Sequence, residues 1–162
     1  MCDSATCPLP APPPLVTCGM EPHAFPQQRL LTAATVTGAD AATVARMLPI
    51  LRSCVPSDDA PALLARASRP GDRDTYLVLL TEHRLVVAAE TRILRRQRLH
   101  LNADPRHLVD VLWTPEPTLG GIALSATAVD GVREHFWIRT TDVAASAEAL
   151  ATVFRRTALA AA

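Results

Sequence analysis

The chain has 162 residues, with 16 acidic and 16 basic side chains, so its formal charge is zero. That length is one domain's worth and suffices for a real core. The balanced charge leaves no global field to draw the chain to nucleic acid or to a membrane, so any electrostatic recognition must come from a local patch. Every basic residue is Arg and none is Lys. Alongside abundant Ala and Pro, this is the mark of GC-rich codon usage, although Arg is also the better residue for bidentate contact with carboxylate or phosphate. No apolar run approaches the roughly eighteen residues of a spanning helix. The N-terminus lacks the charged start and unbroken apolar stretch of a secretory signal, so a cytoplasmic location is expected.

Residues 1–28 are expected to form a disordered tail, because Pro8, Pro10, Pro12, Pro13, Pro14, Pro22 and Pro26 favour extended polyproline geometry over helix or sheet. Met20 offers an alternative start within it. A helical preface follows over 29–54. Asp40 is placed to cap a helix with Val44, Met47, Leu48 and Leu51 on one face, and Pro49 is expected to bend it or to start a new turn. Residues 61–68 fit a short helix and a first strand equally well. Arg69-Pro70-Gly71-Asp72-Arg73-Asp74 is a loop by its turn chemistry.

The strands come next. Residues 75–81 are almost all apolar, as a strand buried on both faces should be, and 84–90 return through a tight junction at Glu82-His83-Arg84. An Arg-laden run over 92–101 is expected as the third strand of this meander. Residues 107–113 form a strand expected to stop before Pro115, and 120–128 resume after Gly120-Gly121. Asp130-Gly131 signals a two-residue hairpin into 132–139. Asp142 then caps a helix to about Arg156, with Val143, Ala147, Leu150 and Phe154 in one apolar stripe, leaving 158–162 as an Ala-rich end.

This order, centred on Leu79-Leu80-Thr81-Glu82-His83-Arg84-Leu85-Val86-Val87, resembles the bacterial pleckstrin-homology-like (PH-like) domains over residues 55–157. Many of those domains carry a similar leucine-threonine-polar-polar-arginine-leucine hairpin. The resemblance implies an α+β fold that is mostly antiparallel β: a bent sheet or partly open barrel closed by a C-terminal amphipathic helix. Val143, Leu150, Val153 and Phe154 are then expected to pack on Leu77, Leu79, Val86 and the Trp137 strand. Such folds serve mainly as binding modules, and members of the family assemble into oligomers.

The candidate ligand-binding residues are Arg84, Arg95, Arg96, Arg98 and His100, with Arg92 and Arg106 nearby and only Glu90 and Asp104 to balance them. Strand alternation would put Leu94, Arg96, Arg98 and His100 on one face and Arg95 on the other. Such a basic strand can hold lipid phosphates or an acidic partner segment. It is also how an edge strand defends itself by charge against aggregation. Cys2, Cys7, Cys18 and His23 have the ligand types of a tetrahedral zinc site, at loose spacing and without the glycines or aromatics of a zinc knuckle. Metal and cofactor are therefore not expected.

No serine sits in a Gly-flanked elbow, and no paired-carboxylate or HExxH spacing occurs. The leading expectation is a non-enzymatic cytoplasmic adaptor that recognises a protein segment by a sheet edge or groove. The alternative is peripheral binding to anionic lipid through the arginines. A small enzyme would need His83, His100 and His135 around one cavity.

Overall fold

A computed structural model describes residues 40–160, with side chains to Arg156 in the last helix. The Pro-rich tail, the Cys2/Cys7/Cys18/His23 set and the start of the helical preface lie outside the described residues. The elements are α1 (Ala41–Cys54), β1 (Pro61–Ser68), β2 (Thr75–Thr81), β3 (Leu85–Glu90), β4 (Gln97–Ala103), β5 (Val109–Glu116), β6 (Gly121–Thr127), β7 (Arg133–Arg139) and α2 (Val143–Ala160). Short 3-10 turns at Pro105–His107 and Pro117–Leu119 flank β5.

The strands form one antiparallel seven-stranded sheet in the order β4-β3-β2-β1-β7-β6-β5, open between β4 and β5. The fold is α+β, as expected: a strand-rich body with a helical preface and a C-terminal helix. Residues 61–68 are a strand, because their neighbours on both sides, β2 and β7, supply the pairing that local propensity left undecided.

Each helix covers one face of the sheet. On the outer face, Val44, Met47, Leu48 and Leu51 of α1 pack with Leu64, Leu77, Leu79, Val86 and Ala88. On the inner face, Leu150, Val153 and Phe154 of α2 join Leu63, Tyr76, Val78, Leu80, Leu85, Ile122, Phe136 and Ile138. This explains why β2 and β3 are buried on both faces and read as unbroken apolar runs. It also corrects one expectation by a single residue of parity. Leu77, Leu79 and Val86 meet α1, and α2 meets their odd-even neighbours.

Five boundaries differ from expectation, the first being that α2 runs on to Ala160, past the end expected at about Arg156 and into the Ala-rich stretch, whose alanines favour helix. α1 runs unbroken through Pro49, which is exposed, so the carbonyl its ring leaves unpaired faces water. The third strand begins at Gln97, and residues 91–96 form a tight loop in which the Thr91 amide bonds the Arg96 carbonyl (3.0 Å) and Arg95 adopts φ 47°. β5 continues through Pro115 to Glu116, which an edge strand tolerates. The Asp130-Gly131 hairpin is a three-residue loop: the Gly131 amide bonds Ala128 O (2.9 Å), Ala128 and Val132 close the ladder, and Gly131 at φ 80° forms the bulge.

Candidate functional site

The candidate arginines do not form one site. Arg84 immediately precedes β3 and the 91–96 loop follows its end, so the six-residue strand holds Arg84 about 20 Å from Arg95 and Arg96. Arg98 and His100 do share a face, and β4 is indeed a sheet edge. That face looks inward. Arg98 pairs with Asp74 at 3.3 Å, and His100 lies within 3.2 Å of Glu134 Oε2. Arg92, Arg95 and Arg96 remain exposed on the loop, together with Ile93 and Leu94, which are 90% and 67% exposed.

His100 belongs to a polar cluster at the inner end of the sheet that local sequence could not reveal. Arg69 follows β1, Tyr76 is on β2, and Glu134 and Phe136 are on β7. Arg69 Nη1 donates to His100 Nε2 (3.2 Å) while its Nη2 lies 3.0 Å from Glu134 Oε2. The rings of Tyr76 and Phe136 stand edge-on to His100 at 5.4 and 5.9 Å, and the Arg69 guanidinium lies 5.9 Å from the Phe136 ring centre.

Glu134 Oε2 is buried, and neither Arg69 nor His100 is aligned to hydrogen-bond it. Tyr76 donates to Asp72; that bond holds the Asp72 carboxyl below the usual range, while burial and then the same bond push the Tyr76 hydroxyl up. The cluster ties the β1–β2 loop to β4 and β7. It is a largely buried polar cluster with the geometry of a brace across the sheet end, in which Glu134 Oε2 is left without a hydrogen bond among the described residues.

The histidines do not converge. His100 is inside, His135 is exposed on the outward face of β7, and His83 sits in the β2–β3 turn beside a depression of about 350 Å³ lined by Pro56, Asp58, Asp59, Ala60 and Glu82. Among the described residues no three His, Cys, Asp or Glu side chains group as metal ligands.

The open edge of the sheet at β5 has a different character. Its outward backbone groups meet no other strand among the described residues. A bulge at Asp110 (φ 51°) and Pro115 bracket its free stretch. Val109 and Leu112 on the strand are 56% and 60% exposed, and Val129 and Val132 of the neighbouring hairpin loop 80% and 49%. His107, Val109, Thr127, Ala128, Val129 and Gly131 line a groove of about 510 Å³ beside it. On the inner side Trp113 stacks on Phe154 (5.8 Å between rings), which seats α2 beneath the edge. The readable signal was a valine inside a Val-Asp-Gly turn, where apolar residues have no packing role of their own. No helix of the described residues is long and apolar enough to cross a membrane. No family model and no curated protein matches the chain.

Proposed function

We propose that the chain is a non-enzymatic binding module, PH-like in kind, that takes an extended segment of a partner protein along the β5 edge. The observation that carries this reading is an unpaired strand edge lying beside exposed Val109, Leu112, Val129 and Val132 and a groove of about 510 Å³. Strand addition supplies affinity through main-chain bonds and specificity through side-chain pockets. The meander β1–β4, the meander β5–β7 and the closing helix support the PH-like assignment. A bacterial, cytoplasmic setting goes with it.

The test is hydrogen exchange on the chain with a captured partner. Amides of residues 111–114 should gain protection, and V109D together with V129D should abolish capture. Protection confined to other strands would reject the edge.

A second reading is favoured by one observation: the 91–96 loop exposes Ile93 and Leu94 between Arg92 and Arg95-Arg96. Such a tip can insert into the interface of an anionic bilayer while its arginines meet headgroups. Co-sedimentation with anionic vesicles should then be lost in I93D/L94D and weakened by salt. Absence of binding at low salt would end this reading.

A further inference from the structure

The outer face of the sheet is covered over only half its width. α1 packs on β2 and β3, whereas no described element packs on the outward side of β5, β6 and β7. The strand register maps that bare face. One row runs Glu116, Gly121, Arg139, Arg66; the next Thr114, Ala123, Trp137, Ser68; the next Leu112, Ser125, His135; the last Val109, Thr127, Arg133. Three features of this map point to a ligand.

Arg66 and Arg139 stand directly opposite on adjacent strands, both exposed. Like charges in that position repel, and among the described residues neither side chain makes a hydrogen bond or an ion pair. Second, β7 presents Arg133, His135, Trp137 and Arg139 in one outward column, with Glu116 the one acidic side chain in these rows. Third, the Trp137 ring is laid on the sheet over Gly121. A Cβ at 121 would come within 2.6 Å of it, so glycine is required to let the indole lie there. The column from Arg133 to Arg139 spans about 20 Å.

We infer that this face binds an acidic segment of a partner protein, with carboxylates against Arg66/Arg139 at one end and Arg133 at the other and an apolar side chain over Trp137 between them. Arg forks match carboxylates in bidentate fashion, and a flat indole beside Ala123 and over Gly121 takes the apolar centre. Single-stranded RNA would also pair stacking with phosphate contacts. The rows of this face hold a single Trp, one apolar contact where a strand of successive bases stacks on several rings, and one such contact suffices for an acidic peptide with an apolar residue between its carboxylates. The inference rests on the protein-binding reading but uses the side chains of the outward face, centred on β7, rather than the backbone edge of β5.

The experiment titrates the full chain with two fluorescein-labelled probes of equal length, a Glu/Leu peptide and oligo-U, at 50 and 500 mM NaCl. The peptide should bind at 50 mM, at least tenfold more weakly at 500 mM, and at least tenfold more weakly to R66A/R139A. Binding should shift tryptophan emission, and W137F should remove the shift. Removing the opposed arginines relieves repulsion, so R66A/R139A should melt no lower than the parent, which separates lost binding from lost folding. V129D, which alters the edge groove at a residue outside these rows, should leave the peptide titration unchanged. No peptide binding at 50 mM NaCl, unaltered binding by R66A/R139A, or tighter binding of oligo-U overturns the inference.

Discussion

Thr81 is fully buried, yet its hydroxyl organises the turn at the centre of the chain. Its Oγ1 accepts from the Arg84 amide (2.9 Å) and the His83 amide (3.3 Å) and donates to Asp59 Oδ2 (2.6 Å), while the Thr81 amide bonds the Arg84 carbonyl (2.8 Å). The threonine of the Leu-Thr-Glu-His-Arg-Leu hairpin is therefore architectural. Thr81→Val keeps the shape and strands two amides and a carboxylate, so it should cost about 2 kcal/mol. Thr81→Ser keeps the hydroxyl and loses one methyl, about 0.8 kcal/mol. Urea unfolding of the pair checks this: equal losses would mean that the hydroxyl contributes nothing. The motif was legible in the sequence because its partners are two and three residues away. The fate of His100 was not, because Arg69 and Glu134 are brought to it only by sheet order.

At the scale of elements, α1 is fixed to β3 by a relay from its cap. The Asp40 carboxylate accepts from the Thr43 hydroxyl (2.7 Å), Arg46 Nη2 donates to the same hydroxyl (3.1 Å), and Arg46 Nε donates to Glu90 Oε2 (2.8 Å) at the end of β3. The hydrogen bond from Arg46 outweighs burial and holds the Glu90 carboxyl below its ordinary 4.5, and the bond from the Thr43 hydroxyl does the same for Asp40. A carboxyl lowered in the folded chain takes its proton first in the unfolded one. Its contribution is therefore present above about pH 4.5 and lost as pH falls through the lowered value. Glu90→Gln should destabilise the fold at pH 7 by about 1–2 kcal/mol for a pair with one half-exposed partner, read as a lower Tm. Its fall in Tm between pH 5 and 3 should be shallower than the parent's; parallel curves would exclude Glu90 from the acid limb. Element type and order were readable from periodicity, whereas the start of β4 was not. Ile93 and Leu94 supply apolar residues at strand spacing, and only the turn at Arg95 reveals them as a loop.

For the whole molecule, the question is whether α1 is an appendage or part of one cooperative unit. The fold resemblance began at residue 55 and did not require this helix, because the sequence shows α1 as amphipathic without showing which strands await it. The structure answers through parity. β2 and β3 are apolar on both sides, and the outward set Leu77, Leu79, Val86 and Ala88 would be bare without Val44, Met47, Leu48 and Leu51. Leaving that set in water would forfeit roughly 1.5–3 kcal/mol for each large side chain, and those strands also carry the inner core under α2. Loss of α1 should therefore unfold the sheet. Met47 is fully buried, so Met47→Ala should cost about 2–5 kcal/mol. Both tryptophans, Trp113 and Trp137, lie on β5 and β7, the half of the sheet that α1 does not cover. Their emission thus reports a region remote from the substitution. In Met47→Ala the fluorescence and far-UV transitions should shift together to lower urea with an unchanged slope. An early far-UV phase with the tryptophan transition left in place would instead make α1 a separately melting cover on a sheet that stands without it.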